Sequence, residues 1–126
     1  MESFGFKYGL PTEADIVLDV RFLPNPFFVA ALSPLSGEDE SVRRFVLDNP
    51  ETQIFLAKAE ELLALCIAAF EREGKTYATV GIGCTGGRHR SVVIAAELAR
   101  RLQAFHVDVR HRDIGRGRPA SPEARK

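Results

Sequence analysis

The stretch GCTGGRHRS at positions 83–91 places a cysteine, adjacent glycines and two arginines in one short turn. It follows an apolar segment with strand character and precedes an apolar pattern with helical spacing. At such a turn the backbone N–H groups point outward, and the partial positive charge of the helix N-terminus favours an anion. Gly86 and Gly87 allow consecutive amides to converge on one point. Arg88 and Arg90 add donors that match phosphate oxygens, so the stretch predicts a phosphate-binding loop at a strand-to-helix turn.

The spacing of the same residues also suits a nucleophile. Cys84, five intervening residues, Arg90 and then a serine reproduce the Cys-x-x-Gly-x-x-Arg-Ser loop of cysteine-dependent protein tyrosine phosphatases. In that chemistry the loop holds the phosphate, a thiolate attacks it and a carboxylic acid protonates the leaving oxygen, so Cys84, Arg90 and Asp19 would be the catalytic residues. Two features oppose turnover: Gly83 stands where those enzymes usually carry histidine, and Arg21 beside Asp19 would keep that carboxyl ionised. Holding and cutting a phosphate both stay open on this pattern.

Histidines and cysteines give no sign of a metal site. His89 lies between two arginines whose charge disfavours its protonation, so a neutral hydrogen-bonding role is predicted. Cys84, His89 and His111 lack the paired short spacing of zinc ligands, and the sequence therefore predicts no metal and no cofactor. Cys66 and Cys84 lie in different contexts and are predicted to be free thiols.

The loop needs strands and helices to position it. Strands are predicted over residues 3–7, 16–20, 77–83 and 107–110, and helices over residues 27–32, 39–47, 51–73 and 91–105. This alternation predicts a single small α/β domain with a mixed or mostly parallel sheet flanked by helices. The carboxyl ends of parallel strands share one edge, so Asp19, Arg21 and Asn25 would approach the glycine loop if the second and third strands are neighbours.

Length and composition fit one globular domain. The chain has 126 residues, of which 45% are hydrophobic, and residues 1–114 are predicted to fold while the basic tail 115–126 is predicted to be disordered. No apolar run approaches the ~20 residues that cross a bilayer, and no signal peptide is evident, so a cytoplasmic location without membrane contact is predicted. The zero net charge hides an acidic first part, residues 1–83, and a basic second part, residues 84–126, which indicates an anionic partner.

Three blocks of sequence carry a family resemblance. They are SFGFKYGLP at positions 3–11, DVRFLPNP at positions 19–26 and GIGCTGGRHRSV at positions 81–92. Over residues 3–113 the chain resembles the C-terminal domain of the RapZ and YvcJ family of RNase adapter proteins. The resemblance implies an adapter and sensor domain without an assigned catalytic activity, which senses glucosamine 6-phosphate and binds small regulatory RNA.

The resemblance also implies which residues bind. The phosphosugar site would comprise Asp19, Arg21 and Asn25 on the proline-containing loop, and Cys84, Thr85, Gly86, Gly87, Arg88, His89, Arg90 and Ser91 on the glycine loop. RNA backbone contacts would fall to Lys7, Arg88, Arg110, Arg112, Arg116 and Arg118. Phe27 and Phe28, just after the proline-containing loop, are candidates for an interface.

The expected partners follow from these assignments. They are a phosphorylated sugar or another small anion, RNA, and a P-loop nucleotide-binding protein or a second copy of the chain. No Gly-x-x-x-x-Gly-Lys-Ser/Thr motif occurs, so the nucleotide binding of the family's other domain is not expected here, and an isolated domain and a piece of a longer protein both stay open. The basic residues of the tail are spread among Pro, Ser and Glu, which predicts weaker binding of RNA than of the small ligand.

Overall fold

A computed structural model describes residues 1–117 of the chain. Its strands are β1 (Glu2–Gly5), β2 (Ile16–Asp19), β3 (Val80–Cys84) and β4 (Arg110–His111), and its α-helices are α1 (Glu40–Leu47), α2 (Pro50–Arg72) and α3 (Arg90–Arg101). Short 3₁₀ turns span Phe6–Tyr8, Pro26–Phe28 and Gln103–Phe105. The order of strands and helices confirms the predicted small α/β domain.

The four strands form one sheet in the order β2-β3-β1-β4, and every pairing in it is parallel. Strand β3 is central to the site because β2 and β1 pair with it on either side. In the register between β2 and β3, Asp19 stands opposite Gly83. The expectation that the second and third strands are neighbours is therefore confirmed, and both loops leave the sheet at the same edge.

The two faces of the sheet are covered differently. Val80, Ile82 and Cys84 point to one face, where they join a single hydrophobic core with the apolar sides of all three helices. On the opposite face the rings of Phe4 and Phe6 lie over the strand, so close that a Cβ on Gly83 would stand 2.5 Å from both rings. These rings cover the end of β3 beside the site.

Helix ends follow local capping chemistry. Asn49 accepts a hydrogen bond from the Glu51 N–H through its side-chain oxygen at 2.9 Å, and Pro50 occupies the first helical position of α2. Helix α3 begins at Arg90 and ends at Arg101, earlier than predicted, because the chain tightens into a 3₁₀ turn that ends at left-handed His106. The last strand consequently begins later, at Arg110.

Two further differences affect the site. The first strand stops at Gly5 and continues as a 3₁₀ turn, and the short helix predicted at residues 27–32 is the 3₁₀ turn Pro26–Phe28. Of the predicted disordered tail, residues 115–117 belong to a turn, in which the Arg116 N–H donates to the Asp113 carbonyl at 3.0 Å. The predicted disorder of residues 118–126 falls outside the described residues.

Within residues 1–117, no helix is long and apolar enough to pass through a bilayer. The same part of the chain contains no cluster of three or more His, Cys, Asp or Glu side chains arranged to hold a metal ion.

Candidate functional site

The glycine loop is pressed against the end of strand β1. Gly87 has a φ of 80°, and a Cβ at this position would lie 2.6 Å from the backbone nitrogen of Gly5. The reverse holds as well, because a Cβ on Gly5 would lie 2.5 Å from the carbonyl carbon of Gly86. The Lys7 N–H donates to the Thr85 carbonyl at 3.3 Å. Glycine is required at Gly87 for its positive φ, and at both positions because the two backbone segments approach so closely.

Cys84 closes the base of the loop. The residue is only 3% exposed. Its sulfur accepts a hydrogen bond from the Gly87 N–H at 3.2 Å, and its thiol donates to Ser91 Oγ at 3.1 Å. The sulfur thus accepts a backbone N–H of the loop, and its own proton is directed at the serine hydroxyl. Cys66 lies in α2, and both cysteines are free thiols.

Arg90 is a buried cation beneath the loop. The residue is only 5% exposed, and its Nη1 donates to the main-chain carbonyls of Arg21 and Leu23, the latter at 3.2 Å. Nη2 reaches Thr85 Oγ1 at 3.5 Å, and Nε is buried without a hydrogen-bond partner. Among the described residues no carboxylate forms an ion pair with this guanidinium. Burial lowers the pKa of Arg90 from its ordinary value, although a guanidinium stays protonated in a protein.

The proline-containing loop, residues 21–26, supplies carbonyls and an amide rather than a free acid. Arg21 donates hydrogen bonds to the Asp19 carboxylate from Nε at 3.0 Å and from Nη2 at 2.7 Å. These hydrogen bonds hold the pKa of Asp19 below its ordinary value, as the sequence predicted, so the carboxyl is ionised and has no proton to give. Arg21 also lies over the Phe6 ring, 4.0 Å from its centroid.

The segment at residues 33–37 is tied to the loop from the other side. His89 donates from Nε2 to the Leu35 carbonyl at 2.6 Å, and the Gly37 N–H donates to the Arg88 carbonyl at 2.7 Å. Arg88 itself reaches the carbonyls of Ile114 and Pro34, at 3.1 Å and 3.3 Å. Burial lowers the pKa of His89 below its usual range, and the neighbouring arginine charges act in the same direction. The neutral hydrogen-bonding role predicted for this residue agrees with that direction.

A pocket of about 420 Å³ opens above the loop and brings most of the predicted ligand residues together. The predicted residues that line it are Asn25, Cys84, Thr85, Gly86, Gly87, Arg88, His89 and Arg90. Asp19, Arg21 and Ser91 do not line it. Ser91 instead accepts a hydrogen bond from the Cys84 thiol, and Asp19 and Arg21 form an ion pair with each other.

The predicted RNA-contacting residues are divided between places. Lys7, Arg88 and Arg116 line the pocket. Arg110 lies at the other end of the sheet, 3.4 Å from the Glu2 carboxylate, in a separate cavity of about 400 Å³. Arg112 is held by the Asp113 carboxylate at 2.8 Å, and Arg118 falls outside the described residues.

Sequence reasoning missed a buried acid that supports the site. Asp113 is fully buried, accepts the Gly5 N–H at 2.8 Å and binds Arg112 and Arg116. Burial alone would raise its pKa, but the Arg112 and Gly5 donors outweigh burial and lower it. The signal was present, since a single acid stands among three arginines at positions 110–116. Ser33 also lines the pocket, and nothing in its local sequence marked it.

Comparison with known proteins places the chain in a family. A family model described as the RapZ C-terminal domain matches residues 1–115. A nucleotide-binding protein of Citrifermentans bemidjiense is 53% identical over 119 residues, covering 93% of this chain and 42% of the relative. One of Mycolicibacterium paratuberculosis is 56% identical over 122 residues, covering 92% of this chain and 39% of the relative. The chain thus spans about two fifths of the length of these relatives. Both comparisons agree with the three sequence blocks described above, and the chain belongs to the family of RapZ C-terminal domains.

Proposed function

We propose that this domain is a non-catalytic regulatory adapter that binds a phosphorylated sugar of the glucosamine 6-phosphate type in the pocket above the glycine loop. One observation carries the proposal: Arg90 is a buried guanidinium with no carboxylate partner among the described residues. Asp19 acts on this guanidinium through its charge without forming an ion pair, and a phosphate in direct contact would offset the cost of burying the guanidinium. Two main-chain carbonyls and a long contact to Thr85 occupy only part of the five N–H donors of this side chain.

The charge around the pocket supports an anionic ligand. Lys7, Arg88, Arg90 and Arg116 line it, and no Asp or Glu does so within residues 1–117. Cations grouped in a concave site attract and retain a phosphate dianion more strongly than the same charges on a flat surface. Helix α3 adds its N-terminus at Arg90, where the first amides have no acceptors inside the helix.

Polar groups beside the cations suit sugar hydroxyls. The side-chain oxygen of Asn25 accepts a hydrogen bond from the Phe27 N–H, and its NH₂ group can therefore donate to a ligand. Thr85 and Ser33 add hydroxyls to the lining. Asp19 is paired with Arg21 and does not line the pocket. Of the two expected ligand residues Asp19 and Asn25, Asn25 alone is therefore assigned to the sugar oxygens.

The test is calorimetric titration of the domain with glucosamine 6-phosphate. Arg90→Ala should abolish measurable binding, and Arg90→Lys should weaken it at least tenfold, because a lysine keeps the charge but loses the planar fork of donors. Arg44→Lys is the matched control, since this exposed arginine pairs only with Glu40 on α1 among the described residues. Thermal denaturation of each variant verifies folding. Absence of any heat with sugar phosphates and with inorganic phosphate in the folded wild-type domain would overturn the proposal.

A phosphatase is the alternative function, and the surroundings of the Cys84 sulfur favour it. The Gly87 N–H and the Ser91 hydroxyl would both stabilise a thiolate. The ion pair between Asp19 and Arg21 opposes it, because it removes the proton donor. Hydrolysis of an aryl phosphate by the wild type that disappears in Cys84→Ser, with phosphate binding retained, would establish turnover. A wild type that binds phosphate and hydrolyses nothing would exclude it.

RNA binding is proposed to use the rim of the same pocket. Lys7, Arg88 and Arg116 line the pocket together, and Arg116 also pairs with Asp113. Arg110 and Arg112 do not line the pocket and pair with Glu2 and Asp113. An RNA gel shift should weaken as salt is added, and Lys7→Ala should reduce both the affinity and the salt dependence. Failure of any RNA to shift at low salt would refute this part of the proposal and leave the sugar site untouched.

A further inference from the structure

Two phenylalanine rings stand at the mouth of the pocket. Phe27 and Phe28 both line it and remain 60% and 81% exposed, with their ring centroids 5.5 Å apart and their planes at 83°. They thus place an apolar, aromatic surface directly beside the cations and the glycine loop. Exposed rings of this size are unfavourable in water unless another molecule covers them.

The rings are held in place by their backbone. Asn25 accepts the Phe27 N–H through its side-chain oxygen at 3.1 Å, and Pro26 begins the 3₁₀ turn with its ring buried. The Phe28 N–H donates to the Asn25 carbonyl at 3.3 Å, and the Val29 N–H to the Pro26 carbonyl at 3.0 Å. The capped turn with proline at its first position thus fixes the backbone from which both rings project into the pocket lining.

The pocket has room for more than a phosphate. A cavity of about 420 Å³ lies within the range of sites for small organic ligands, which are roughly 300–1,000 Å³. The polar donors gather at the glycine loop, whereas Phe27 and Phe28 form the apolar part of the lining. A phosphate on the loop would leave the rings facing whatever the phosphate is attached to.

We infer that Phe27 and Phe28 form a stacking surface for the organic part of the ligand, so that the pocket selects phosphate monoesters that carry a ring. A pyranose presents an apolar C–H face that packs on an aromatic ring, and a nucleobase presents a π face. The inference rests on the proposed phosphate site, because the loop must hold the phosphate for the ring to reach this surface. We assign the ring to the sugar of a hexose phosphate.

The experiment compares three ligands on one set of variants by calorimetry. The ligands are inorganic phosphate, glucosamine 6-phosphate and adenosine 5′-monophosphate. The variants are Phe28→Ala, Phe28→Tyr and the double change Phe27→Ala with Phe28→Ala. Tyr77→Ala is the matched control, because Tyr77 is also 81% exposed and lines the separate cavity at the other end of the sheet.

We expect the wild type to bind glucosamine 6-phosphate more tightly than inorganic phosphate. The double variant should lose affinity for the sugar phosphate on the order of tenfold while keeping its affinity for inorganic phosphate. Phe28→Tyr should keep the wild-type affinity for the sugar phosphate, and Tyr77→Ala should leave the affinity for both ligands unchanged. The high exposure of both rings keeps these substitutions from disturbing the core.

The outcomes separate the two proposals. Equal affinity for all three ligands, unchanged by the variants, overturns the stacking surface and leaves the phosphate site standing. No binding of any phosphate by the folded wild type overturns the phosphate site itself. A ring-dependent gain seen with adenosine 5′-monophosphate and not with the sugar supports the stacking surface and overturns its assignment to a sugar.

Discussion

Replacing Gly87 by alanine tests whether the contact between the glycine loop and strand β1 shapes the site. Its φ of 80° is left-handed, which costs an alanine about 1–2 kcal/mol. The new Cβ would also stand 2.6 Å from the Gly5 nitrogen and 2.9 Å from the Phe4 carbonyl carbon, and backbone cannot move aside as a side-chain tip can. Overpacking of this kind adds about 1–3 kcal/mol, and the lower entropy of the unfolded alanine chain offsets about 0.4–1 kcal/mol. We expect a net destabilisation of roughly 2–4 kcal/mol.

Gly86→Ala is the internal control for this prediction. The neighbouring glycine has no left-handed φ, and a Cβ on it would meet nothing within 4 Å. Only the effect on the unfolded chain remains, so its stability should stay within about 1 kcal/mol of the wild type. Thermal denaturation followed by circular dichroism should show Gly87→Ala melting roughly 10 °C lower, and Gly86→Ala within about 4 °C of the wild type. The Gly87 variant should also lose phosphate affinity, because it displaces the N–H that meets the Cys84 sulfur.

Equal melting temperatures for the two variants would refute the reasoning. That result would mean that β1 and the loop do not approach as closely as the distances indicate, and the amide arrangement above Cys84 would lose its basis. A Gly87→Ala variant that is destabilised but binds phosphate normally would refute only the expected loss of phosphate affinity.

Two further predictions concern titratable groups and can be measured in the same denaturation assay. Burial lowers the pKa of both His89 and His111 below the ordinary 6.5, so as pH falls below 6.5 the unfolded chain binds more protons and the free energy of unfolding decreases. Unfolding between pH 7.5 and 5.5 should show this loss, and His89→Gln should reduce the slope; a pH-independent stability would contradict it. Asp113→Ala should cost about 3–5 kcal/mol, because it leaves the buried Gly5 N–H without its acceptor and removes the carboxylate that pairs with Arg112 and Arg116. Asp108→Ala at an exposed position should change stability by less than about 0.5 kcal/mol. Equal effects of the two aspartate changes would show that the Asp113 contacts do not support the fold.

Most of the elements could be predicted from the sequence because their signals are local. The apolar residues of α2 recur at helical spacing, and Asn49 and Pro50 form its start, so each signal involves residues close together in the chain. The errors occurred where a turn tightened, as at Phe6–Tyr8 and Gln103–Phe105, since the choice between an extended or α-helical chain and a 3₁₀ turn depends on packing.

In the candidate site, too, the features that could be predicted depend on residues close together in the chain. The glycines, the cysteine and the arginines of residues 83–91 determine by their own dihedral preferences and donors that a tight, amide-rich bend follows β3. The sequence order therefore sufficed to predict a tight glycine turn between a strand and a helix, whereas phosphate binding at this turn stays a prediction. It also sufficed to predict the pairing of Asp19 with Arg21, because the two side chains lie only two residues apart.

Only the tertiary structure decided which groups surround that bend. Arg90 is oriented by carbonyls of Arg21 and Leu23, which lie 69 and 67 residues earlier in the chain. Asp113 reaches Gly5 across 108 residues. These partners depend on the strand order β2-β3-β1-β4, which brings distant segments to one edge of the sheet. Residue type and spacing determine what a segment can bind, whereas contacts between remote segments exist only once the sheet and its core have assembled.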